Sequence, residues 1–369
     1  MLLVILVLSF LVLIHEWGHY IAAKRTGVHV EEFGFGYPPR LFTLFKRKGT
    51  EFTLNALPFG GFVRLAGDEA ETFEKGSETA EVQSEQTSHD TLFANKPRWQ
   101  RLIVIYAGAL MNVFFGVVAF AVIYTNIGIP EQLPHPKITE VIENSPAKEV
   151  GFEVGDEVLQ INKKPIDSST ELIASLQENQ GQRVEVLVKR GEQSLTLSPY
   201  VRKKEEIPEN EGAVGIALSD MTLKQYPMIE RPFRGAVQGM KDSLTFAVLI
   251  VQTLGSMVQQ LLTQGKVPTD ISGPIGIVHV ASKTDLINQG WIAILNFAAL
   301  ISINLGVMNV LPIPALDGGR AMFIVLESVI GKKRRILYER YANSIGMALL
   351  LLIFLLISIK DVTTIFRGL

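Results

Sequence analysis

Long apolar runs divide the chain into segments that can cross a membrane and segments that cannot. Met1–Ala23 is mostly apolar, and similar runs cover Leu102–Ile127, Trp291–Leu311 and Asn343–Ile359. A helix needs about 20 consecutive apolar residues to span the hydrocarbon core of a bilayer. The pattern therefore predicts four transmembrane helices, in the segments 1–25, 96–128, 290–320 and 343–362.

Two further segments show the alternation of apolar and polar residues that is typical of β-strands. Residues 28–66 are rich in Phe and Gly and carry turn signals at Pro38-Pro39 and Lys48-Gly49. We interpret them as a membrane-reentrant β region, although an ordinary cytoplasmic hairpin fits the alternation equally well. Residues 131–203 predict a separate soluble domain, with several strands and helices at Pro146–Val150 and Ser169–Gln177.

The connecting segments differ in charge and amphipathicity. Gly67–Asp90 carries eight acidic residues and one lysine, which predicts an acidic cytoplasmic linker over residues 67–95 with a solvated His89. We interpret residues 204–289 as the C-terminal region of the soluble domain together with an outer helix. Within them, the stretch Gly235–Gly265 is nearly apolar enough to span, but Lys241 and Asp242 interrupt it. We interpret this stretch as an amphipathic helix on the outer face of the membrane.

Basic residues set the expected orientation. Lys24 and Arg25 follow the first span, and the run Lys332–Arg335 lies in residues 321–342. Lys and Arg concentrate in cytoplasmic loops, so these segments are expected in the cytoplasm and both chain termini outside it. A span at Gly235–Gly265 would put Lys332–Arg335 on the wrong face, which is why we assign that stretch to the surface.

Composition narrows the chemistry. The chain has 369 residues, of which 47% are hydrophobic and 20% are charged, and its formal net charge is −2. This balance is typical of a membrane protein with a soluble portion and gives no indication of a nucleic-acid partner. The sequence contains no cysteine. Disulfides, thiolate nucleophiles and thiolate ligands are therefore excluded, and any metal site must use histidines and carboxylates.

The first predicted span carries the strongest chemical signal. His15, Glu16 and His19 form an H-E-x-x-H pattern inside the apolar run. Two histidines one helical turn apart face the same way and can bind one Zn²⁺, and the glutamate beside them can take a proton from water. A chance occurrence on a core helix is the alternative, but ionisable groups at membrane depth are costly and usually functional.

The third ligand and a possible substrate contact come from other spans. A catalytic zinc needs three protein ligands, and Asp317 is the carboxylate expected at the same depth, although it could instead cap the helix that follows it. Asn112 lies inside the second predicted span. An asparagine in a transmembrane helix often serves helix packing by hydrogen-bonding to a neighbouring helix. It could instead hold a substrate carbonyl if it faces the metal.

Several motifs then occur in one order along the chain. They are H15-E16-W17-G18-H19, FGFG, PFGGFVRL, FANKPRWQR, NSPAKEVGFEVGDEVLQINKKPI, SGPIGI and NLGVMNVLPIPALDGGR. Together they resemble the site-2 protease family of intramembrane zinc metalloproteases, in its RseP-like bacterial branch with one PDZ domain. One departure is Gly108-Ala109-Leu110-Met111-Asn112, where relatives usually have a proline after the glycine.

This resemblance implies a fold and a set of roles. The expected fold is a multi-pass α-helical membrane protein with four transmembrane helices, a membrane-associated β-hairpin region and one extracytoplasmic PDZ (α+β) domain. It implies that His15, His19 and Asp317 bind Zn²⁺ and that Glu16 is the general base. It further implies substrate contacts for a group of residues comprising Asn304, Asn309, Gly34, Phe35 and Gly36.

The resemblance also implies partners and a location. The expected site is the bacterial inner membrane, and the expected substrates are single-pass membrane proteins already cut outside, such as anti-sigma factors and remnant signal peptides. The PDZ domain is expected either to bind peptide by strand addition or only to restrict access. A non-catalytic membrane PDZ scaffold and a metal transporter are the competing functions.

Overall fold

The computed structural model describes residues 2–68, 89–208, 211–264 and 288–367. The chain divides into two compact units. The first comprises Met1–Ile123 and Gly235–Leu369, and the second comprises Tyr124–Arg234. The motif S-G-P-I-G-I, named above, lies outside the described residues.

Among the described residues, four helices are long and apolar enough to cross a membrane, at Leu3–Arg25, Arg98–Ile127, Trp291–Val310 and Lys332–Asp361. They belong to α1 (Leu2–Arg25), α2 (Arg98–Ile127), α6 (Trp291–Val310) and α8 (Lys332–Arg367). These correspond to the four predicted spans. Helix α5 (Arg231–Gln264) covers most of the stretch predicted to lie on the outer face of the membrane, and that location stays a prediction.

The helix that contains the last predicted span begins before that span. The segment 321–342 is predicted to be cytoplasmic, with the span beginning at Asn343, and this placement stays a prediction. In the structure, α7 (Asp317–Ile330) is followed almost at once by α8, which begins at Lys332 and runs on without a break. Most of residues 332–342 favour helix, and a basic cluster does not end a helix unless a breaker accompanies it.

Small residues allow the first unit's helices to approach closely. A Cβ atom at Gly18 of α1 would lie 2.3 Å from the Ala107 carbonyl oxygen of α2, and one at Gly306 of α6 would lie 2.9 Å from the Ala109 oxygen. Close backbone approach is the usual way in which helices associate in membranes, where apolar area alone provides no driving force. Helices α1, α2 and α6 therefore form a tight group.

The predicted β region consists of β1 (Val30–Arg47) and β2 (Thr50–Leu65), which pair antiparallel. Both strands bend, so Phe33 has two neighbours, Phe52 on one side and Val63 on the other. Within the part of the chain that the structure describes, residues 61–65 pair with β1 alone, on one side. The segment lies against α1, since a Cβ atom at Gly61 would approach Leu13 Cδ2 to 2.7 Å.

The second unit is built on one sheet with the strand order β7-β6-β4-β3-β8. Its strands are β3 (Ile129–Val141), β4 (Glu157–Ile161), β5 (Lys164–Pro165), β6 (Val186–Arg190), β7 (Gln193–Leu197) and β8 (Ile216–Lys224). Its helices are α3 (Pro146–Glu149) and α4 (Ser169–Glu178). The predicted domain 131–203 thus extends to β8, which pairs with β3 at the sheet edge.

An apolar core and an ion pair with a buried carboxylate stabilise the second unit. Val158, Ile161, Leu172 and Val188 are among the buried residues between the sheet and α4. The carboxylate of Asp156 is fully buried and accepts hydrogen bonds of 2.8 Å from Nε and Nη2 of Arg190. Pairing of this kind is needed wherever a charge is buried, because an unpaired carboxylate would be strongly destabilising.

Candidate metal centre

Two of the predicted ligands share one face of α1. His15 and His19 are one turn apart, and their Nε2 atoms lie 3.1 Å from each other. His15 is a buried polar residue within an apolar helix. The two rings meet edge to face, with centroids 4.7 Å apart. Both imidazoles therefore point the same nitrogen toward one position, as the H-E-x-x-H spacing predicts.

Asp317 reaches the same position from a segment 302 residues further along the chain. Its Oδ2 atom lies 2.8 Å from His15 Nε2 and 3.3 Å from His19 Nε2. The alternative role, capping the next helix, does not fit, because Leu316 is the N-cap residue and Asp317 is the first residue of α7. Its carboxylate turns toward the histidines.

The three side chains fit a zinc ion. Their facing atoms are 2.8–3.3 Å apart, close to the ~3.3 Å between ligand atoms of a tetrahedral zinc with bonds of about 2.0–2.1 Å. Two imidazoles and one carboxylate form a ligand set found in catalytic zinc sites, which keep a further position for water. Glu16 belongs to the same group, since one ligand atom from each of His15, Glu16 and His19 lies within 4.8 Å of the others.

Contacts behind the histidines orient their rings. His19 Nδ1 lies 2.8 Å from the Val104 carbonyl oxygen, so this nitrogen carries the proton and Nε2 keeps its lone pair for a metal. His15 Nδ1 lies 3.4 Å from the Asn112 side-chain amide. Asn112 Oδ1 is buried and, within the described residues, has no hydrogen-bond partner. With the amide turned over, this oxygen would accept from His15 Nδ1–H.

The side chain of Asn112 thus points into the site and does not simply pack against a neighbouring helix. Its main-chain oxygen still takes part in packing, because it accepts a hydrogen bond of 2.9 Å from Ser302 Oγ. One turn earlier, Gly108 leaves the space in which the rings lie. A Cβ atom there would be 2.4 Å from His19 Nε2 and 2.7 Å from His15 Nε2. Any larger residue at position 108 would fill the space in front of the two Nε2 atoms, where a metal would lie.

Glu16 faces the β region. Its carboxylate lies near the main-chain N–H of Val63. Val63 belongs to the segment 61–65, which pairs with β1 on one side only. The proposed general base and a sheet edge therefore lie side by side.

The remaining predicted substrate contacts are placed in different surroundings. Gly34 and Gly36 are buried in the β region, where a Cβ at Gly34 would meet the Phe62 ring and Gly36 adopts a φ of +78°. The Phe35 ring lies 5.3 Å from that of Phe33. Asn304 is exposed on α6, and Asn309 Nδ2 donates to the Leu305 oxygen of its own helix. Within the described residues, neither asparagine side chain hydrogen-bonds to His15 or His19.

A helical membrane protein with two histidines and a carboxylate around a common point, and a glutamate beside them, belongs to the class of membrane-embedded metallopeptidases. The profile of Peptidase family M50 matches residues 3–353 of the chain. The chain therefore belongs to this family, the site-2 proteases.

Curated relatives cover nearly the whole chain. A putative zinc metalloprotease of Clostridium acetobutylicum is 32% identical over 98% of this chain and 97% of its own length. The regulator of sigma-W protease RasP of Bacillus subtilis is 28% identical over 98% of each chain. Among solved structures, the PDZ domain of an SdrC-like protein from Listeria monocytogenes covers 24% of this chain and 93% of its own, at 22% identity and a TM-score of 0.21, a likeness too weak to carry an argument.

The family settles the class of function. The chain is an intramembrane metalloprotease of the site-2 type, and its metal is zinc. The prediction of this family, of an enzyme and of Zn²⁺ as cofactor is confirmed. The competing functions, a non-catalytic scaffold and a metal transporter, do not agree with this membership.

Proposed function

We propose that His15, His19 and Asp317 hold the zinc ion and that Glu16 is the general base for peptide hydrolysis within the membrane. The observation that supports this most directly is the convergence of the three side chains, from both ends of the chain, at separations of 2.8–3.3 Å. When bound, Zn²⁺ supplies a Lewis acid that makes water more acidic and polarises the scissile carbonyl.

The residues of the chain supply the proton transfers. Glu16 accepts a proton from water as the water oxygen adds to the carbonyl carbon of the substrate. When the carbon–nitrogen bond breaks, the protonated Glu16 returns that proton to the leaving amine. Val104 and Asn112 keep the two imidazoles in the orientation that leaves their Nε2 atoms unprotonated.

We further propose that the substrate binds as an extended chain beside the segment 61–65. The peptide bonds of a helix are shielded by its own hydrogen bonds, so a membrane-spanning substrate has to unwind before water can reach a carbonyl. An extended segment can then add to a sheet edge through main-chain hydrogen bonds. Supporting this, Val63 lies in the segment that pairs on one side only, and its N–H lies near the carboxylate of Glu16.

The proposed substrates are single-pass membrane proteins that have already been shortened outside, including anti-sigma factors and remnant signal peptides. The name of the Bacillus subtilis relative, a regulator of sigma-W protease, supports the first of these classes. We assign the protein to the bacterial inner membrane, in contact with the lipid bilayer. The second unit, Tyr124–Arg234, would then be an extracytoplasmic PDZ domain that filters substrates by size or binds their peptide ends.

The test of the catalytic assignment is Glu16→Gln, assayed by cleavage of a single-pass substrate in liposomes and by zinc content. The amide keeps the size of the side chain but cannot take a proton, so cleavage should fall by about 10²–10⁴-fold while zinc remains bound. Glu192→Gln is a suitable control, because Glu192 is exposed in the turn between β6 and β7. Near-normal cleavage by Glu16→Gln would show that another group is the base.

A further inference from the structure

The loop before Asp317 is irregular backbone that needs hydrogen-bond partners. Residues 311–316 connect α6 to α7, and a buried main-chain N–H without a partner is unfavourable, above all at membrane depth. Ile313 N–H donates to the Leu311 oxygen at 2.7 Å, and Leu316 N–H donates to the Ile313 oxygen at 3.2 Å. Ala315 N–H instead donates to a side chain, Asn343 Oδ1 of α8, at 3.0 Å.

Ala315 adopts a conformation that an alanine rarely takes. Its φ is +72°, in the left-handed region, where the Cβ atom crowds the backbone. Such a conformation persists only where the surroundings fix it. Ala315 lies two residues before Asp317, so the direction in which the aspartate leaves the loop depends on this turn. Asn343 supplies the contact that holds it.

The same face of α8 makes room for the loop one turn further on. A Cβ atom at Gly346 would lie 2.6 Å from Pro314 Cβ and 3.1 Å from the Pro314 carbonyl carbon. Asn343 and Gly346 are three residues apart and therefore lie on one side of the helix. Neighbouring positions face outward, and Ile345 is 68% exposed. The loop thus packs against a face of α8 that carries polar and small residues, although the rest of this span is apolar.

Ion pairs extend this face toward the start of α8. Arg335 and Glu339 are buried and pair with each other at 2.6 Å. Arg335 also lies 3.3 Å from Glu327 of α7, and Glu339 lies 3.8 Å from Arg320, which is three residues after Asp317. The residues 335, 339, 343 and 346 follow helical spacing. Helix α8 therefore contacts both the loop before Asp317 and the helix after it.

We propose that Asn343 is a positioning residue for the metal centre, which acts by holding Ala315 so that the carboxylate of Asp317 points at His15 and His19. This inference rests on the proposed role of Asp317 as a zinc ligand. It gives the fourth span a part in the site although α8 contributes no ligand. Groups that orient a metal ligand usually change metal affinity about 10–100-fold when they are removed.

The experiment measures the zinc affinity of the full-length protein in detergent, by competition with a chelator. Asn343→Leu keeps the approximate size but removes the acceptor, and its zinc affinity should fall by about 10–100-fold. Asn343→Asp keeps an oxygen at the same place and should stay close to the native protein. Ser344→Ala, at an exposed neighbouring position, is the control for changes in α8. An affinity within about twofold of native for Asn343→Leu would overturn the proposal.

A second variant separates positioning from general damage to the fold. Glycine adopts a positive φ without strain, so Ala315→Gly should recover part of the lost zinc affinity when it is combined with Asn343→Leu. A misfolded protein would not respond to this change, and absence of recovery would contradict the role of Ala315. Asp317→Asn, measured alongside, tests the ligand assignment itself. If that variant keeps its zinc while Asn343→Leu loses it, the ligand assignment fails independently of the contact between Asn343 and Ala315.

Discussion

Gly108 of α2 lies so close to His19 of α1 that a methyl group on its Cα would be 2.4 Å from the Nε2 atom of the imidazole. The space in front of the two histidines is therefore kept by the absence of a side chain on another helix. This relationship makes a direct test of the metal centre possible without changing any proposed ligand.

Gly108→Ala should lower zinc affinity by about 10–100-fold, as other changes next to metal ligands do, because the added carbon forces both imidazoles to move. Zinc affinity and cleavage in detergent are the measurements. Gly255→Ala on α5 is the matched control, since a Cβ there meets nothing within 4 Å. Unchanged zinc affinity for Gly108→Ala would mean that the rings do not point toward α2.

Asp317→Asn should reduce zinc content and cleavage together. A neutral amide is a poor zinc ligand, and its loss should exceed the ~10–100-fold that a supporting contact contributes. Metal analysis of the purified protein and cleavage of one substrate check this. Asp167→Asn serves as the control, because that side chain is 77% exposed in the second unit. Normal zinc content in the Asp317 variant would require a different third ligand.

The orientation of the chain can be measured with single cysteines, since the native sequence has none. A cysteine at position 192 should react in intact cells with a thiol reagent that does not cross the inner membrane. One at position 333, within the basic run Lys332–Arg335, should react only after the cells are permeabilised. Reaction of position 333 in intact cells would reverse the proposed topology.

The ion pair between Asp156 and Arg190 predicts how the second unit responds to acid. Burial opposes ionisation of Asp156, but the hydrogen bonds from Arg190 and from the Glu153 N–H outweigh it and hold the pKa of the carboxyl below its ordinary value. The unfolded chain therefore binds a proton more readily than the folded one. The stabilisation is complete above the ordinary pKa of about 3.9 and is lost as the pH falls through the lower folded-state pKa.

Resistance to pepsin measures this loss. The second unit should resist cleavage at about pH 5 and become sensitive as the pH falls well below 4. Asp156→Asn should be sensitive at the higher pH already, since it leaves the guanidinium of Arg190 without its buried partner. Glu192→Gln should follow the native protein. Equal resistance of native protein and Asp156→Asn across the range would contradict a stabilising role for the pair.

The convergence of the three proposed ligands could be predicted from the sequence because these residues have fixed spacing or rare positions. His15 and His19 are one turn apart by necessity, and Asp317 is a carboxylate at the depth where a ligand was needed. The contacts that orient these three side chains could not be predicted from the sequence. Val104 acts through its carbonyl oxygen, which every residue has, and Asn343 contributes a side chain that in an apolar helix is equally typical of packing.

The fold could be predicted where hydrophobic period and length agree. The four long apolar runs coincide with four described helices that are long and apolar enough to span, and α8 extends back to Lys332 because a basic cluster changes the environment of a helix without ending it. The edge strand β8 was missed for another reason. It follows β7 only after a long polar connection, and its pairing with β3 is set by contacts distant in the sequence rather than by its own pattern.

The segment 61–65, paired on one side only and lying next to Glu16, has a consequence for selectivity. A peptide binds to a sheet edge through main-chain groups, which are the same in every residue. Such an edge therefore distinguishes poorly between one substrate sequence and another. Under the proposed binding mode, choice among substrates would depend on how easily a membrane-spanning helix opens at the depth of the histidines. Glycine and proline weaken a helix. Their presence in a transmembrane segment would therefore determine cleavage more strongly than any consensus sequence around the cleaved bond.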